Sequence, residues 1–325
     1  MEKLLSLDEQ IENAPELDID TAAMAWINSL DVAPASIASY SRSIRQFVSF
    51  MIECGQKKPR REDILEFKNY LIGINLKPTT VQMYIQTIKL FFKWTELKGI
   101  YPNIAQLIKG SKLDHGHKKD PLTSKQATNL VTGIDTSTLE GKRDYAIVAL
   151  MLTSGLRTIE VQRAKIEDLR TVADFTALFV QGKGHQEKTD YVKVVDEVND
   201  ALRDYLDMRG QKHGILKAGD PLFASVSNRN PNGEMTTRSI SRIAKKHLIE
   251  SGVNSSRVTA HSLRHTAATL NLLSGSSIEE TQQLLRHTNI NTTMIYIHAI
   301  ERAKNNSENR IADTIFKGKK KKDGE

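Results

Sequence analysis

The sequence predicts a mainly α-helical protein of two domains, with one β-hairpin in the second domain. Three observations predict this class: a length of 325 residues, apolar residues at helical spacing through the first hundred, and β-branched residues flanking a glycine-containing turn near residue 183. A chain of this length is about twice the usual domain size, so two cores are expected.

The predicted boundaries follow changes in composition along the chain. The segments are an acidic leader (1–20), a helical domain (21–110), a polar basic linker (111–120), a second domain (121–316) and a basic tail (317–325). The leader is acidic enough that we expect it to pack loosely, and the tail is a run of lysines that we expect to be disordered.

Two similar helices are predicted in the first domain. The apolar stripe at 36–53 recurs at 79–98 with an offset of forty-four residues. Ser36 and Thr80 stand near the starts of these stripes, and we expect each to cap its helix with its side-chain oxygen.

The second domain is predicted to be helical outside one hairpin. Its strands are expected at 176–180 and 191–195, on either side of the turn that contains Lys183. Helices are expected at 123–132, 142–153, 158–164, 196–209 and 239–252.

The distribution of charge favours a polyanionic partner. The net charge is +7 overall, −6 in residues 1–20 and +3 in residues 317–325, which leaves +10 on the body between them. A basic body with a basic tail is typical of nucleic-acid-binding proteins, although a merely soluble basic protein would have the same balance.

Composition also excludes several classes of protein. The longest apolar run, 145–152, is far too short to cross a bilayer, and no basic segment precedes an apolar one at the N-terminus. The single cysteine, Cys54, excludes an internal disulfide framework and a multi-cysteine metal site. A cytoplasmic protein is the simplest interpretation.

Several separated residues form a set suited to phosphoryl transfer. The planar guanidinium group of arginine can donate two hydrogen bonds to phosphate oxygens. Histidine and lysine can transfer protons, and a tyrosine can act as nucleophile once its proton is removed. No acidic cluster suggests a two-metal site and no phosphate-binding loop is present, so neither metal nor cofactor is expected. The candidates are Arg157, Lys183, His261, Arg264, His287 and Tyr296.

Each of these residues also has an ordinary structural explanation. His261 and His265 at i and i+4 could bind a metal, but no H-E-x-x-H glutamate accompanies them. Lys183 between glycines could be a solvated turn residue, and Tyr296 could be a packing residue. Glu160 could be surface charge or could brace Arg157. The order and spacing of the whole set favour function.

The motifs around these residues strongly resemble those of the tyrosine recombinases, the family of phage integrases and Xer-type recombinases. Ser-Gly-Leu-Arg-Thr-Ile-Glu at 154–160 resembles the family's T-G-L-R-x-x-E box, and Gly-Lys-Gly at 182–184 resembles its hairpin lysine. His-Ser-Leu-Arg-His at 261–265 resembles the H-x-L-R-H box, and Leu-Arg-His at 285–287 with Tyr296 resembles L-G-H…T-x-x-Y.

The resemblance implies a mechanism in which Tyr296 attacks a DNA phosphate and forms a 3′-phosphotyrosyl bond. Arg157 and Arg264 would hold the non-bridging oxygens, and Lys183 would protonate the departing 5′-oxygen. His261 would assist proton transfer.

The same resemblance implies that His287 hydrogen-bonds the phosphate; from its position three residues after Arg157, Glu160 is expected to support that arginine. It further implies a C-shaped DNA clamp, in which a helical core-binding domain joins a mainly helical catalytic domain with a small antiparallel β-sheet. Four protomers would exchange strands on two DNA duplexes through a Holliday junction, with a C-terminal segment such as 303–316 docking on a neighbour and an accessory or directionality factor sometimes required.

One residue departs from the family's pattern at a position close to the site. Arg286 stands where the family usually has glycine, which would alter the backbone or add a phosphate contact. Major-groove contacts are expected from Arg42, Arg45, Gln82, Gln86 and Lys89, and phosphate contacts from Lys112, Lys118, Lys119 and Arg286.

Three other functions stay open at this level. A type IB topoisomerase resembles the family in its active-site set, a DNA-binding accessory protein would have lost catalysis, and a metal-dependent nuclease would be inhibited by chelators. Because only some twenty residues, with an acidic net charge, precede the first domain, we expect a simple-site recombinase without an arm-binding domain: a Xer-like enzyme, a resolvase or an integrase of a small mobile element.

Overall fold

Residues 6–112, 119–182 and 187–316 are described by the computed structural model, and they are mainly helical with one three-stranded antiparallel sheet. The prediction of a mainly helical fold with a small sheet is therefore confirmed. The chain divides into two units, Met1–Gly116 and His117–Glu325. In the part of the chain described above, no helix combines the length and apolar character that crossing a membrane requires.

The first unit is built from five helices around an aromatic core. They are α1 (Leu7–Asn13), α2 (Ile19–Asn28), α3 (Pro34–Glu53), α4 (Arg61–Gly73) and α5 (Pro78–Leu97). The repeated apolar stripes lie on α3 and α5, and Phe47 of α3 packs edge-on against Phe67 and Phe92 at ring distances of 5.1 and 6.1 Å. All three rings are fully buried.

The starts of α3 and α5 differ from the prediction. The N-cap residues are Ala33 and Lys77, and neither makes a side-chain capping bond, so the expected caps at Ser36 and Thr80 are wrong. A proline follows each of these N-caps. Proline has no N–H and a fixed φ suited to the first helical position, so each helix begins at its proline.

The acidic leader is not loosely packed over its described part. Ser6 and Glu9 form a capping box at the start of α1, and Ile11, Leu17 and Ile19 are buried in the core of the first unit. The charges face outward while every third or fourth residue is apolar, so a high acidic content does not prevent burial of one face.

The second unit combines nine helices with the sheet. The helices are α6 (Ser124–Thr132), α7 (Leu139–Ser154), α8 (Thr158–Arg163), α9 (Asp196–His213), α10 (Thr237–Glu250), α11 (Ala260–Leu273), α12 (Ile278–Leu285), α13 (Asn291–Lys304) and α14 (Ser307–Phe316). Apolar residues of α7, α9, α10 and α11 supply much of its core. Each predicted helix is present, with ends shifted by up to four residues.

The sheet is an antiparallel meander with strand order β1-β2-β3. Its strands are β1 (Leu169–Val172), β2 (Phe175–Val180) and β3 (Asp190–Val194). The predicted hairpin is β2–β3, with each strand starting one residue earlier than expected. β1 is an addition to the prediction: it has only four residues, and the two in its centre are exposed and polar.

A left-handed glycine connects α7 to α8. Gly155 has a φ of +60°, as expected for a helix stop, and a Cβ atom there would lie 2.8 Å from Cδ2 of Leu285. Glycine therefore permits both the turn and the close approach of α12 to this loop. The approach brings the end of α12 next to Arg157, which is the N-cap residue of α8.

Candidate active site

Five of the six predicted catalytic residues line one pocket of the second unit, with a volume of about 490 Å³. They come from the N-terminus of α8, from α11, from the segment that joins α12 to α13, and from α13 itself. Gly182, which precedes the predicted lysine, also lines the pocket. Lys183 itself, like Lys118, lies outside the described residues. The five are Arg157, His261, Arg264, His287 and Tyr296.

Arg264 is held by backbone carbonyls from two distant segments. It is only 1% exposed, and its two terminal nitrogens donate hydrogen bonds to the carbonyl oxygens of Gly155 and Leu285. Burial, together with the nearby charges of Arg157 and Arg286, lowers the pKa of Arg264. The guanidinium stays protonated at neutral pH because its ordinary pKa is so high. Both acceptors are uncharged, so its charge is not offset by a direct carboxylate partner.

Arg157 is fixed by a carboxylate instead. Its Nη1 donates to Oε1 of Glu160 at 2.8 Å, and its backbone N–H donates to Oε2 of the same residue, also at 2.8 Å. The Arg157 side chain is 28% exposed, whereas that of Glu160 is fully buried. Glu160 thus caps α8 and orients the guanidinium, so its surface-charge explanation is wrong.

The pKa of Glu160 depends on its burial and on the two arginines that contact it. Burial alone would raise it, but Arg286 and the hydrogen bonds and charge of Arg157 together lower it. Glu160 is therefore ionised at neutral pH. The basic groups of the pocket surround one buried carboxylate.

Two of the three histidines that line the pocket, His261 and His287, are held in neutral form. Partial burial and the charges of Arg264 and Arg157 lower the pKa of His261, an exposed residue at the start of α11. Burial and the same arginines lower the pKa of His287 to about 4. His287 Nδ1 lies 2.9 Å from Oγ1 of the fully buried Thr293, which fixes the orientation of the ring.

Tyr296 is 6% exposed and packs against Ala268 and Leu285 while lining the pocket. Burial raises the pKa of its hydroxyl, and the charges of Arg264 and Arg157 oppose that effect. Its ring lies 5.2 Å from that of His265, which in turn contacts the ring of His261 at 4.6 Å. The phenol is therefore protonated in this state, with both arginines near enough to stabilise its anion.

A family assignment follows from sequence comparison. Residues 121–302, which contain every member of this pocket, match the phage integrase family. The chain belongs to this family of tyrosine recombinases.

Other members of the family are similar over most of their length. A protein named tyrosine recombinase XerC from Pelobacter propionicus is 30% identical over 274 residues, which are 82% of this chain and 86% of that protein. The structure of XerH recombinase bound to its difH substrate before cleavage covers 89% of this chain and 84% of that one, with a TM-score of 0.67 and 17% identity. A lambda integrase tetramer on a Holliday junction covers 90% and 81%, with a TM-score of 0.65 and 19% identity. These two structures show that the fold is shared.

Two residues at or beside this pocket of the phage integrase family member have no role in the site predicted from the sequence. Thr293 belongs to the T-x-x-Y motif, but the motif does not indicate that its hydroxyl lies 2.9 Å from Nδ1 of His287. His265 was considered only as a metal ligand. Among residues 6–112, 119–182 and 187–316, no cluster of three or more His, Cys, Asp or Glu side chains could hold a metal ion.

The predicted DNA-contacting residues of the first unit differ in exposure. Arg42 and Arg45 are exposed on α3, and Gln86 is exposed on α5, whereas Gln82 is half-buried. Lys89 is also half-buried, and its ammonium donates to the carbonyl of Ile108 at 3.1 Å. The Lys89 ammonium is therefore already hydrogen-bonded within the first unit, whereas the side chains of Arg42 and Arg45 are exposed.

The linker lysines also differ from one another. Lys112 is exposed, whereas Lys119 is half-buried and donates to the carbonyl of Ser256 at 2.9 Å. The second lysine of the hairpin region, Lys188, is bound to the carboxylate of Asp168 and to the carbonyl of Arg163. Lys188 is thus held within the protein.

A basic stripe on α10 was not predicted. Arg238, Arg242 and Lys246 are exposed and spaced four residues apart, so they share one face of the helix. The sequence carries the helical spacing of these three cations, but no motif marks them as a binding surface.

Proposed function

We propose that this protein is a site-specific DNA recombinase that cleaves and rejoins DNA strands through a 3′-phosphotyrosyl intermediate. The observation that carries the proposal is that Tyr296, Arg157 and Arg264 line one pocket although they are far apart in sequence. Membership in the phage integrase family supports the same reaction. Integration, excision and resolution of a DNA element all use this chemistry.

In the first step the scissile phosphate occupies the pocket between the two arginines. Their guanidinium groups donate to the non-bridging oxygens and stabilise the additional charge of the pentacoordinate phosphorus. In the neutral His287 the Thr293 hydroxyl donates to Nδ1, so the single ring N–H lies on Nε2 and donates to the same phosphate. A protonated imidazole is not required for that bond.

In the second step the phenolic oxygen of Tyr296 attacks phosphorus. His261 is neutral at physiological pH, so it can take up the phenolic proton directly or through water. The bond between phosphorus and the 5′-oxygen breaks, and Lys183 supplies a proton to that leaving oxygen. The products are a phosphotyrosyl ester and a free 5′-hydroxyl.

The phosphotyrosyl ester retains the free energy of the broken phosphodiester. Attack by the 5′-hydroxyl of a partner strand reverses the step and releases the tyrosine, so neither ATP nor a hydrolytic metal enters the proposed cycle. Two rounds of exchange pass through a Holliday junction.

Recognition of DNA and assembly of four protomers complete the proposal. Arg42 and Arg45 on α3 and the basic stripe on α10 are exposed and positively charged, as groove and phosphate contacts require. Helix α14 exposes Ile311, Ile315 and Phe316, each more than half accessible, which supports its docking on a neighbouring protomer. A cytoplasmic site of action and a requirement for accessory factors belong to this proposal as well.

Of the alternatives, a type IB topoisomerase would share the covalent step but would not exchange partner strands. The similarity to named recombinases along most of the chain favours recombination. A non-catalytic accessory protein has no need for the buried, preoriented Arg264 and Glu160.

A nicked suicide duplex separates these possibilities. The duplex should carry a recombination site, and the reaction should contain EDTA. We expect a covalent protein–DNA adduct that is abolished in Tyr296→Phe and retained in Tyr70→Phe, which changes an exposed tyrosine of the first unit. An adduct in Tyr296→Phe would refute the assignment of the nucleophile, and cleavage that needs a divalent metal would favour a nuclease.

The proposed role of Lys183 has a separate test. Lys183→Ala should cleave ordinary DNA slowly and should recover when sulfur replaces the 5′-leaving oxygen, because a thiolate leaves without protonation. Absence of recovery would remove Lys183 from the role of general acid.

A further inference from the structure

Arg286 occupies an unusual backbone position beside the pocket. It ends α12 with a φ of +52° and a ψ of 50°, the left-handed conformation that glycine adopts at little cost. The tyrosine recombinases usually have glycine here, so this chain keeps the backbone geometry but adds a long cationic side chain. A non-glycine residue at such a position costs conformational energy because of its Cβ, which points to a gain from its side chain.

The guanidinium of Arg286 is directed into the protein. Its side chain is 9% exposed, with Nη2 donating to Oε2 of Glu160 at 2.8 Å and Nη1 donating to the carbonyl of Leu284 at 2.8 Å. The bond to Glu160 joins residues 126 positions apart in sequence. It links the end of α12, which precedes the helix α13 that carries Tyr296, to the start of α8.

Glu160 therefore lies between two arginines. Its Oε1 accepts from Arg157, and its Oε2 accepts from both the backbone N–H of Arg157 and the guanidinium of Arg286. With Arg157 as the only cationic partner, the carboxylate would offset most of the charge that Arg157 presents to a phosphate. A second cation bound to the same carboxylate neutralises part of its negative charge. Arg157 therefore keeps more of its positive charge available for a phosphate.

We propose that Arg286 is a positioning residue that acts on Arg157 through Glu160 and is not itself a phosphate ligand. This inference rests on the proposed function, because it concerns how the phosphate-binding charge of the same pocket is maintained. It reassigns Arg286 from the direct DNA contact that the sequence suggested.

A direct phosphate contact is the competing explanation. Arg286 lines the pocket, and its Nε is buried with no hydrogen-bond partner among the described residues. A phosphate could in principle accept from that nitrogen. The two explanations differ in what they predict for coupling to Glu160 and for salt dependence.

The first experiment is a double-mutant cycle on the rate of adduct formation at saturating suicide substrate. Arg286→Gln and Arg286→Lys keep a non-glycine residue at the left-handed position, and Lys also keeps the charge. We expect Arg286→Gln to slow cleavage by roughly 10–100-fold, as loss of a residue supporting an active-site group commonly does. Arg286→Lys should recover most of that loss.

Glu160→Gln completes the cycle because glutamine can still cap α8. In that background the charge to be neutralised is absent, so the further effect of Arg286→Gln should fall to less than about threefold. Equal effects of Arg286→Gln in both backgrounds would overturn the proposal.

The second experiment measures how DNA affinity changes with salt. Loss of one phosphate contact lowers the slope of log K against log salt by about 0.9. We expect the slope of Arg286→Gln to equal that of the wild type and that of Arg203→Gln, which changes an exposed arginine on α9. A slope reduced by about one contact would identify Arg286 as a phosphate ligand.

Two outcomes separate this inference from the function on which it rests. If the wild-type protein forms no adduct, the proposed function fails. If the wild type forms the adduct and Arg286→Gln forms it equally fast, only the role of Arg286 fails. A purely structural role would lower the thermal midpoint and the rate together, so a slow Arg286→Gln variant must retain the wild-type midpoint to within a few degrees.

Discussion

The two units bury different kinds of residue. The first unit fills its core with aromatic rings, among them Trp26, Phe47, Phe67, Phe91 and Phe92, and among its described residues Asp63 is the one buried member of the Asp, Glu, Lys, Arg and His types. The second unit buries Arg143, Asp144, Glu160, Asp168, Arg209, His247 and Arg264. Buried charge is stable only when it is paired and hydrogen-bonded, so the second unit is the one organised around fixed electrostatics. The unit with the phosphate-directed pocket is also the unit that holds charge in place.

The largest effect is expected from the aromatic core. Phe47→Ala should lower the free energy of unfolding of the first unit by about 3–5 kcal/mol, because a fully buried ring that packs against Phe67 and Phe92 leaves a cavity. Urea unfolding followed by fluorescence would measure this loss. Leu97→Ala, at a side chain that is 75% exposed, should change stability by less than about 0.5 kcal/mol. Similar losses of stability in both variants would show that the buried aromatic rings are not what stabilises the first unit.

The second prediction concerns fixed charge. Arg264→Lys should slow adduct formation by about 10²–10³-fold, near the effect of Arg264→Ala, because an ammonium cannot reproduce the divergent bonds to Gly155 and Leu285. Single-turnover cleavage of the suicide substrate measures it. A lysine variant with nearly wild-type activity would mean that charge alone suffices and that the carbonyl bonds are dispensable.

A third prediction contrasts two cations of the first unit. Arg45→Gln should weaken binding to the specific site by about 1–3 kcal/mol if the exposed arginine reads a base, while binding to random DNA changes little. Lys89→Gln should affect specific binding less, because its ammonium is bound to the carbonyl of Ile108. Titrating both variants with specific and with random DNA would show which substitution weakens specific binding more. A larger loss in Lys89→Gln would show that the Lys89 ammonium breaks its hydrogen bond to the Ile108 carbonyl to contact DNA.

The smallest effect is a dependence of stability on pH. The pKa of His287 is about 4 in the folded protein and 6.5 when unperturbed, so between these values the unfolded chain binds a proton that the folded chain does not. Stability from this residue is therefore complete above pH 6.5 and is lost as pH falls toward 4. Urea midpoints should vary less with pH in His287→Asn. Residues 1–112 contain no histidine, so this dependence should belong to the second unit, and an unchanged profile in the variant would argue otherwise.

The elements predicted well are those determined by local pattern. The stripes on α3 and α5 give their faces correctly because 3.6-residue periodicity depends only on neighbouring residues. Their first residues were misplaced because proline and serine both favour helix starts, and the competition is decided by geometry. β1 was missed because four residues with an exposed polar centre carry almost no pattern.

The candidate catalytic residues could be identified from their sequence motifs. The contacts around them could not be predicted from those motifs. The resemblance placed Arg286 at a glycine position without indicating where its side chain would go. Its bond to Glu160 depends on how closely α12 approaches α8, which follows from Gly155 and the packing of Leu285. Such a contact between residues 126 positions apart has no local signature. The role of Lys183 stays a prediction.

The bonds from Arg264 have a consequence for incomplete chains. One acceptor precedes the arginine by 109 residues and the other follows it by 21, so its guanidinium is fixed only after the polypeptide has been made beyond Leu285. A truncation before α13 removes Tyr296, and one before Leu285 also releases the guanidinium. Under the proposed mechanism, chains that end before α13 are accordingly unable to break DNA, even where they retain the whole of the first unit.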